Sequence, residues 1–284
     1  MIRRCLALLA ALALAGCGEP EPAGPPPSPA LWEVTAANGA KGWLFGTIHA
    51  LPEGTRWRTP EFEQALADAE VLVVEIANLA DSQAAASAFA AVARSPGLPP
   101  LLARVEPAAK AELIRALGRA GMTERDFATT ESWAAALQIA NAAGSGDSAN
   151  GVDRALLTSG LPVTGLESFA AQFALFDRLP EPAQAELLEQ AAADTSPEEE
   201  GALARAWLTG DLAALVQTTD RGLADPELRR VLLTGRNRAW AGRIAAMIEQ
   251  GRYPLVAVGA GHMLGGEGLP ALLAAQGYKV SRLQ

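Results

Sequence analysis

Positive charge is scarce in this sequence, and so are the common catalytic signatures. The chain has 284 residues, with 23 Lys and Arg against 32 Asp and Glu, which gives a net charge of −9. A surface of this sign repels a phosphate backbone, so we expect no nucleic-acid partner. The chain also has no His-Glu-x-x-His motif and no Walker loop. It therefore lacks the signatures of helical zinc peptidases and of P-loop nucleotide hydrolases.

Two glycine-containing segments come close to known motifs, but each misses a required residue. Segment 146–150 has the serine of a nucleophile elbow, yet Asn150 replaces the last glycine and no predicted strand precedes it. Gly259 and Gly261 could begin a dinucleotide-binding loop, but Leu264 stands where the third glycine belongs. The sequence therefore predicts neither a serine hydrolase of that class nor a Rossmann cofactor site.

Cysteine is limited to two residues, Cys5 and Cys17, and both lie near the N-terminus. Arg3 and Arg4 precede an apolar stretch, 5–15, that is too short to span a bilayer and is typical of a secretory signal peptide. Residues 14–17 (Leu-Ala-Gly-Cys) resemble the lipobox of bacterial lipoproteins, in which the cysteine is acylated and becomes the new N-terminus. The alternative is an ordinary signal peptide with an incidental cysteine.

The N-terminal pattern predicts an exported protein that is held at a membrane through lipidated Cys17. Residues 1–16 would be the signal peptide, 17–30 the lipidated cysteine and a Pro-rich spacer, and 31–284 the folded body. Gly18 after the cysteine favours a position in the cell envelope at the outer membrane, facing the periplasm. The body then has no thiol for a disulfide, a cysteine nucleophile or a thiolate metal site.

Apolar runs that alternate with helical segments predict an α/β fold, with α+β as the alternative. Segments 31–35 and 42–49 flank Asn38 and Gly39, a pair that favours a hairpin turn. The valine-rich run 71–75 is typical of a strand buried on both faces. Further strands are expected at 161–166, 255–258 and 278–283. We therefore predict a mixed, mostly parallel central sheet with an N-terminal β-hairpin.

Two large helical insertions are predicted between these strands, at about 80–150 and 177–250. The first is rich in Ala and Leu, which favour helices. The second contains Ser196 and Glu199 at capping-box spacing, which predicts a helix start. A shorter helix is predicted at 60–69.

Histidine is as rare as cysteine, and the two histidines occur in the same local pattern. Gly46 precedes His49 by three positions, Gly259 precedes His262 in the same way, and each motif follows a predicted strand. Side chains at the carboxyl ends of parallel strands can converge although they are far apart in sequence. Neutral imidazole is the commonest metal ligand and acid–base group, so the pair predicts one shared site. The alternative is two hydrogen-bonded core or turn histidines.

Three carboxylates and one arginine could complete such a site. Glu75 and Glu167 end predicted buried strands, and Asp153 begins a predicted helix after the Gly- and Ser-rich 144–151 stretch. Carboxylates there could bind a metal, act as a general base or orient a histidine. Alternatively, Asp153 and Glu167 are only N-terminal helix charges. Arg236 could clamp a carboxylate or an oxyanion, or could lie on a solvated helix face.

Together these motifs resemble the TraB/GumN family over essentially residues 31–283. The matching segments are Leu44-Phe45-Gly46-Thr47-Ile48-His49 with Pro52, Val74-Glu75, Gly151-Val152-Asp153, Gly165-Leu166-Glu167, Arg236-Asn237 with Trp240, and Val258-Gly259-Ala260-Gly261-His262 through Gly268-Leu269. The family is similar to the Tiki proteins, which are membrane-tethered metalloproteases, and more distantly to erythromycin esterases. The resemblance implies that His49, Glu75 and His262 occupy active-site positions, and that Asp153, Glu167 and Arg236 accompany them.

The leading functional hypothesis is a metal-dependent hydrolase, plausibly a peptidase of the cell envelope. His49 and His262 would bind a divalent ion (Mn, Co or Zn) with Glu75 or Glu167, and Arg236 would steady the oxyanion. The substrate would be a peptide or a small molecule. One alternative is a metal-free, esterase-like hydrolase with a histidine general base. The other is a non-catalytic envelope protein that binds a metal, haem or a peptide.

Overall fold

A computed structural model describes residues 25–143, 150–193 and 196–284 of the chain. Cys17, the predicted signal peptide and the first part of the Pro-rich spacer lie outside these residues, as does most of the 144–151 stretch. Within the described ranges, no helix is both long enough and apolar enough to cross a membrane.

Strands and helices alternate along the chain in the order expected of an α/β protein. The strands are β1 (Leu31–Thr35), β2 (Lys41–Thr47), β3 (Val71–Ile76), β4 (Val163–Glu167), β5 (Pro254–Gly259) and β6 (Lys279–Arg282). The helices are α1 (Pro60–Asp68), α2 (Ser82–Val92), α3 (Lys110–Arg119), α4 (Ser132–Ala143), α5 (Val152–Leu156), α6 (Phe169–Asp177), α7 (Glu181–Ala192), α8 (Pro197–Leu208), α9 (Leu212–Gly222), α10 (Pro226–Arg229), α11 (Gly235–Glu249) and α12 (Leu269–Ala275). A π-helical turn, Arg230–Thr234, joins α10 to α11.

Local sequence signals set several of these boundaries. The hydroxyl of Thr59 accepts a hydrogen bond from the backbone N–H of Phe62 and so caps the start of α1. Ser196 and Glu199 form a reciprocal capping box at the start of α8, as predicted. The hairpin between β1 and β2 turns at Gly39, whose φ of 84° is disfavoured for other residues.

The strands form one six-stranded sheet in the order β4-β3-β5-β2-β1-β6. Neighbours among β2, β5, β3 and β4 run parallel, whereas β1 runs antiparallel to β2 and β6. The predicted mixed, mostly parallel sheet is confirmed. Because parallel strands end at one edge, the residues that follow β2 and β5 lie beside the ends of β3 and β4.

Helices cover both faces of the sheet, because alternate side chains of each central strand point to opposite faces. Val71 and Val73 of β3 belong to a core that includes Trp240 and Ile244 of α11 and also contains residues of α12. Leu72 and Val74 belong to the opposite core, with residues of α1, α8 and α9. Both faces of β3 are therefore buried, as its valine-rich sequence predicts.

The strand that carries Glu167 differs from its prediction. β4 was expected to be a buried strand, but it lies at the edge of the sheet and most of its residues are only half-buried. Arg243 of α11 donates hydrogen bonds to the carbonyls of Gly165 and Leu166 and covers part of this edge. β3 also continues one residue beyond Glu75, to Ile76. Glu75 and Glu167 still lie near the carboxyl ends of neighbouring strands.

Candidate active site

The glycine of each Gly-x-x-His motif allows a close approach at the ends of β2 and β5. A Cβ atom on Gly46 would lie 3.1 Å from the Cα of Ala260, and one on Gly259 would lie 3.3 Å from the Oε1 of Glu75. Both distances are tight for a side chain. The space at Gly259 also lets its N–H donate a hydrogen bond of 2.9 Å to Glu75 Oε1. The glycines therefore bring the two motifs and Glu75 together.

His49 forms a dyad with Asp153. Its Nδ1 donates to Asp153 Oδ2 at 2.6 Å, and the buried hydroxyl of Thr47 donates to the other carboxylate oxygen. The backbone N–H of Val152 bonds to the carbonyl of Ile48 and anchors the start of α5 beside the histidine. The hydrogen bond to Asp153 raises the pKa of His49. The imidazole is 77% exposed, whereas the carboxylate is 13% exposed. The ring of His49 is therefore open to solvent, while the carboxylate that orients it is held in place.

His262 lies in the opposite environment, buried behind β5. The side-chain amide of Asn237 donates to the carbonyl of Glu267 at 2.7 Å, which turns its Oδ1 towards His262 Nδ1 at 2.6 Å. That contact places the ring hydrogen on Nδ1, so Nε2 accepts from Arg236 Nη1 at 3.2 Å. Burial lowers the pKa of His262 to about 4. The residue is therefore a neutral imidazole, and both of its ring nitrogens are engaged in hydrogen bonds.

The neutral state of His262 predicts a pH-dependent stability. The unfolded chain protonates this histidine near pH 6.5, whereas the folded chain resists protonation until about pH 4. The unfolded state binds more protons in that window, so the free energy of unfolding falls as the pH drops through it. We expect a loss of about 3 kcal/mol between pH 7 and pH 4 from this group. Urea unfolding of the wild type and of His262→Gln at both pH values measures it, and an equal pH dependence in the two proteins contradicts it.

Arg236 is the centre of a buried ion network. Its Nε and Nη2 donate to the two oxygens of Glu167, each at 3.0 Å, and Nη2 also donates to Glu75 Oε2 at 2.6 Å. The guanidinium lies 4.4 Å from the ring centroid of Trp240, whose Nε1 donates to Glu167 Oε1 at 3.1 Å. Burial by itself would raise the pKa of Glu75, but the charge of Arg236 and the Gly259 N–H hold it below its usual value. The solvated-face alternative for Arg236 is wrong.

A cavity of about 380 Å³ brings the two motifs together. His49, Glu75, Arg236 and His262 all line it, although they come from four separate segments of the chain. Glu167 is not among the lining residues; it lies behind Arg236 and holds the guanidinium.

A second, smaller cavity of about 150 Å³ adjoins the first. His49, Glu75 and Gln172 line both cavities, so the two spaces meet at these three side chains. Asp153 lines the smaller one. The alternative in which Asp153 is only a helix charge is therefore wrong, because its carboxylate orients His49 beside this cavity.

Sequence reasoning gave no role to several residues that build the site. Thr47 fixes Asp153, Asn237 sets the tautomer of His262, and Trp240 covers Arg236. Trp207 of α8 donates its indole N–H to the Gly46 carbonyl at 2.8 Å and so fastens the second helical insertion to the first motif. Gln172 lines both cavities. Thr47, Asn237 and Trp240 lie within the segments that resemble the TraB/GumN family, and that resemblance was the available signal.

The residues fit a divalent ion only in part. His49 has the arrangement of a metal-binding imidazole, with Nδ1 held by a carboxylate and Nε2 without a hydrogen-bond partner among the described residues. The Nε2 of His262, however, accepts from Arg236, and both oxygens of Glu75 are already hydrogen-bonded. Among the described residues, no three His, Cys, Asp or Glu side chains form a metal-binding group. A three-ligand site would therefore require Arg236 to leave His262.

Comparison with known proteins gives the family of the chain. No curated protein and no solved structure matches the chain significantly. The sequence model of the TraB/PrgY/gumN family matches residues 30–282, which covers the whole sheet and the described helices between its strands. The chain therefore belongs to the TraB/PrgY/gumN family.

Proposed function

We propose that this protein is a hydrolase that attacks a carbonyl group with water activated at His49. The observation that carries the proposal is the His49–Asp153 dyad, which opens into the cavity that Glu75, Arg236 and His262 line. An exposed imidazole with a fixed carboxylate partner is the usual form of a general base. A purely structural histidine pair would not need one exposed and one buried member.

The hydrogen bonds define the proton path of the proposed reaction. Asp153 holds the hydrogen on Nδ1 of His49, so Nε2 takes a proton from water as the water oxygen bonds to the carbonyl carbon. Asp153 then stabilises the imidazolium. His49 returns the proton to the leaving nitrogen or oxygen as its bond to carbon breaks. An amide or an ester can react in this way, and a peptide is the substrate that the family resemblance favours.

Arg236 has a positioning role in this scheme. The sequence predicts that Arg236 stabilises the oxyanion, but its guanidinium already binds Glu167 and Glu75. It neutralises part of their charge and donates to His262, which keeps the inner wall of the cavity rigid. The guanidinium therefore positions Glu75 and His262 in the cavity wall and offsets the negative charge of Glu75 and Glu167.

A degenerate peptide mixture, incubated with the purified protein, tests the proposal directly. We expect new peptide termini by mass spectrometry, and we expect cleavage to persist after dialysis against EDTA. Cleavage that disappears with EDTA and returns only with Mn²⁺, Co²⁺ or Zn²⁺ would instead support the metal-dependent reaction, which the carboxylate-held Nδ1 of His49 favours. Retention of a peptide, metal or haem at one equivalent without turnover would support a binding protein and contradict the hydrolase.

The proposed base predicts the acid limb of the pH profile. His49 must be neutral to accept a proton, and its hydrogen bond to Asp153 raises its pKa above 6.5. We therefore expect kcat/KM to fall as the pH drops through a midpoint above 6.5. In Asp153→Asn the midpoint is expected to move to lower pH, because the anionic partner is lost. An unchanged midpoint in that variant would argue against the dyad.

Export and lipidation remain predictions of the sequence, and we propose that Cys17 anchors the protein in the cell envelope. Expression of the full chain in a bacterium fed with labelled palmitate should yield a labelled, membrane-associated protein. Cys17→Ser should abolish the label. Cys5→Ser, which changes the other cysteine within the same N-terminal region, should keep it. Equal labelling of Cys17→Ser and wild type would exclude acylation at Cys17.

A further inference from the structure

The smaller cavity differs in chemistry from the larger one. Four aliphatic side chains supply its walls: Val74, Ile76, Leu79 and Leu157. Four polar side chains also line it: Glu75, Gln172 and the dyad residues His49 and Asp153. Apolar surface favours apolar occupants, so the aliphatic part of the wall favours an aliphatic group. The cavity is thus a partly aliphatic recess beside the proposed base.

Its size limits what can enter. A cavity of about 150 Å³ is large enough for an aliphatic side chain, whether branched or linear. The carboxylates of Glu75 and Asp153, which line the cavity, repel an acidic group. A side chain of leucine, isoleucine or methionine is small enough for the cavity and carries no negative charge.

Gln172 stands where this cavity meets the larger one. It lies on α6, is half-buried, and its side-chain amide makes no hydrogen bond to any residue in the described ranges. An amide side chain offers both a donor and an acceptor, which are the complement of a peptide unit. The amide therefore lies at the junction of the two cavities with no partner among the described residues.

We propose that the substrate is a peptide whose aliphatic side chain, next to the reacting carbonyl, fills the cavity bounded by Leu79 and Leu157. Gln172 binds the peptide group of that residue at the junction. The rest of the peptide occupies the larger cavity. This assignment rests on the proposed hydrolase function, and it adds the specificity of the same site.

Two variants of Leu79 alter the cavity in opposite directions. This residue is half-buried and belongs to neither core of the sheet, so its replacement should spare folding. Leu79→Trp fills the recess and should weaken an aliphatic ligand by about tenfold or more. Leu79→Ala enlarges it and should shift the preference towards phenylalanine. Ile114→Trp is the matched control, because Ile114 is exposed on α3, outside both cavities.

Binding and cleavage must be measured separately, because they test different proposals. NMR titration of the purified protein with N-acetyl-leucine methylamide and N-acetyl-glutamate methylamide reports binding without turnover. We expect the leucine probe to bind more tightly, and Gln172→Leu to weaken it while the exposed control Gln64→Leu does not. Mass spectrometry of the digested peptide mixture then reports the residues that flank each cleaved bond.

The outcomes separate the two proposals. Preference for the leucine probe without any cleavage keeps this specificity site and contradicts the hydrolase. Cleavage with no aliphatic preference keeps the hydrolase and overturns the specificity site. Equal binding of the two probes, or the same loss in Leu79→Trp and Ile114→Trp, also overturns it.

Discussion

Replacement of His49 by alanine is expected to lower kcat/KM by about 10²–10⁴-fold, the usual contribution of a general acid–base group. The physical reason is the loss of the group that removes the proton from water. Because the side chain is 77% exposed, the fold loses little packing, and the unfolding midpoint should stay close to that of the wild type. Initial rates on a cleaved peptide, together with a thermal melt, check both expectations.

Asp153→Asn and Asp126→Asn form a matched pair for the same prediction. The first keeps the shape of the partner but removes the charge that stabilises protonated His49, so activity should fall steeply. The second changes an exposed aspartate that caps a turn between α3 and α4, and activity should not change. Full activity in His49→Ala would remove the basis of the proposed mechanism.

Arg236→Met is expected to lower the free energy of unfolding by about 3–5 kcal/mol. The replacement leaves Glu75 and Glu167 buried without their cation, and their side chains are only 18% and 12% exposed. Removal of one partner from a buried ion network costs more than the network itself contributes, because the remaining charges stay desolvated. Urea denaturation at pH 7 measures the change as a lower midpoint.

Arg238→Met serves as the control for this variant. Arg238 lies two residues further along α11 and is exposed, so its replacement should change stability by less than about 0.5 kcal/mol. A triple variant that adds Glu75→Gln and Glu167→Gln to Arg236→Met should recover part of the loss, since the uncompensated charges are gone. Wild-type stability in Arg236→Met would show that the network is open to water.

Local signals in the sequence predicted most elements near the site. The Asn38-Gly39 pair predicted the hairpin, and the apolar run from Val71 predicted a strand buried on both faces; both are confirmed. Such patterns succeed because turn geometry and alternating burial are properties of a few neighbouring residues. These patterns could not predict the order of strands in the sheet. The burial predicted for β4 was therefore wrong, because β4 lies at the edge of the sheet.

The roles of charged residues were harder to predict from the same patterns. Asp153 at a helix start and Arg236 in an arginine-rich helix both have local explanations that involve no site. Their partners, His49 and Glu167, lie 104 and 69 positions away along the chain. Whether such a charge is solvated or buried depends on contacts that no short window contains.

The scarcity of histidine and cysteine in the sequence was enough to limit the chemistry of the site. With two histidines in matched motifs and no cysteine beyond position 17, a shared site built from imidazoles and carboxylates was already the main expectation. Tertiary structure decided what each histidine can do. Parallel strands bring both histidines to one edge of the sheet. His49 is exposed there, and its hydrogen bond to Asp153 raises its pKa. His262 is buried between Asn237 and Arg236, and burial keeps it neutral. The difference arises because a pKa depends on burial and on the partners that folding supplies.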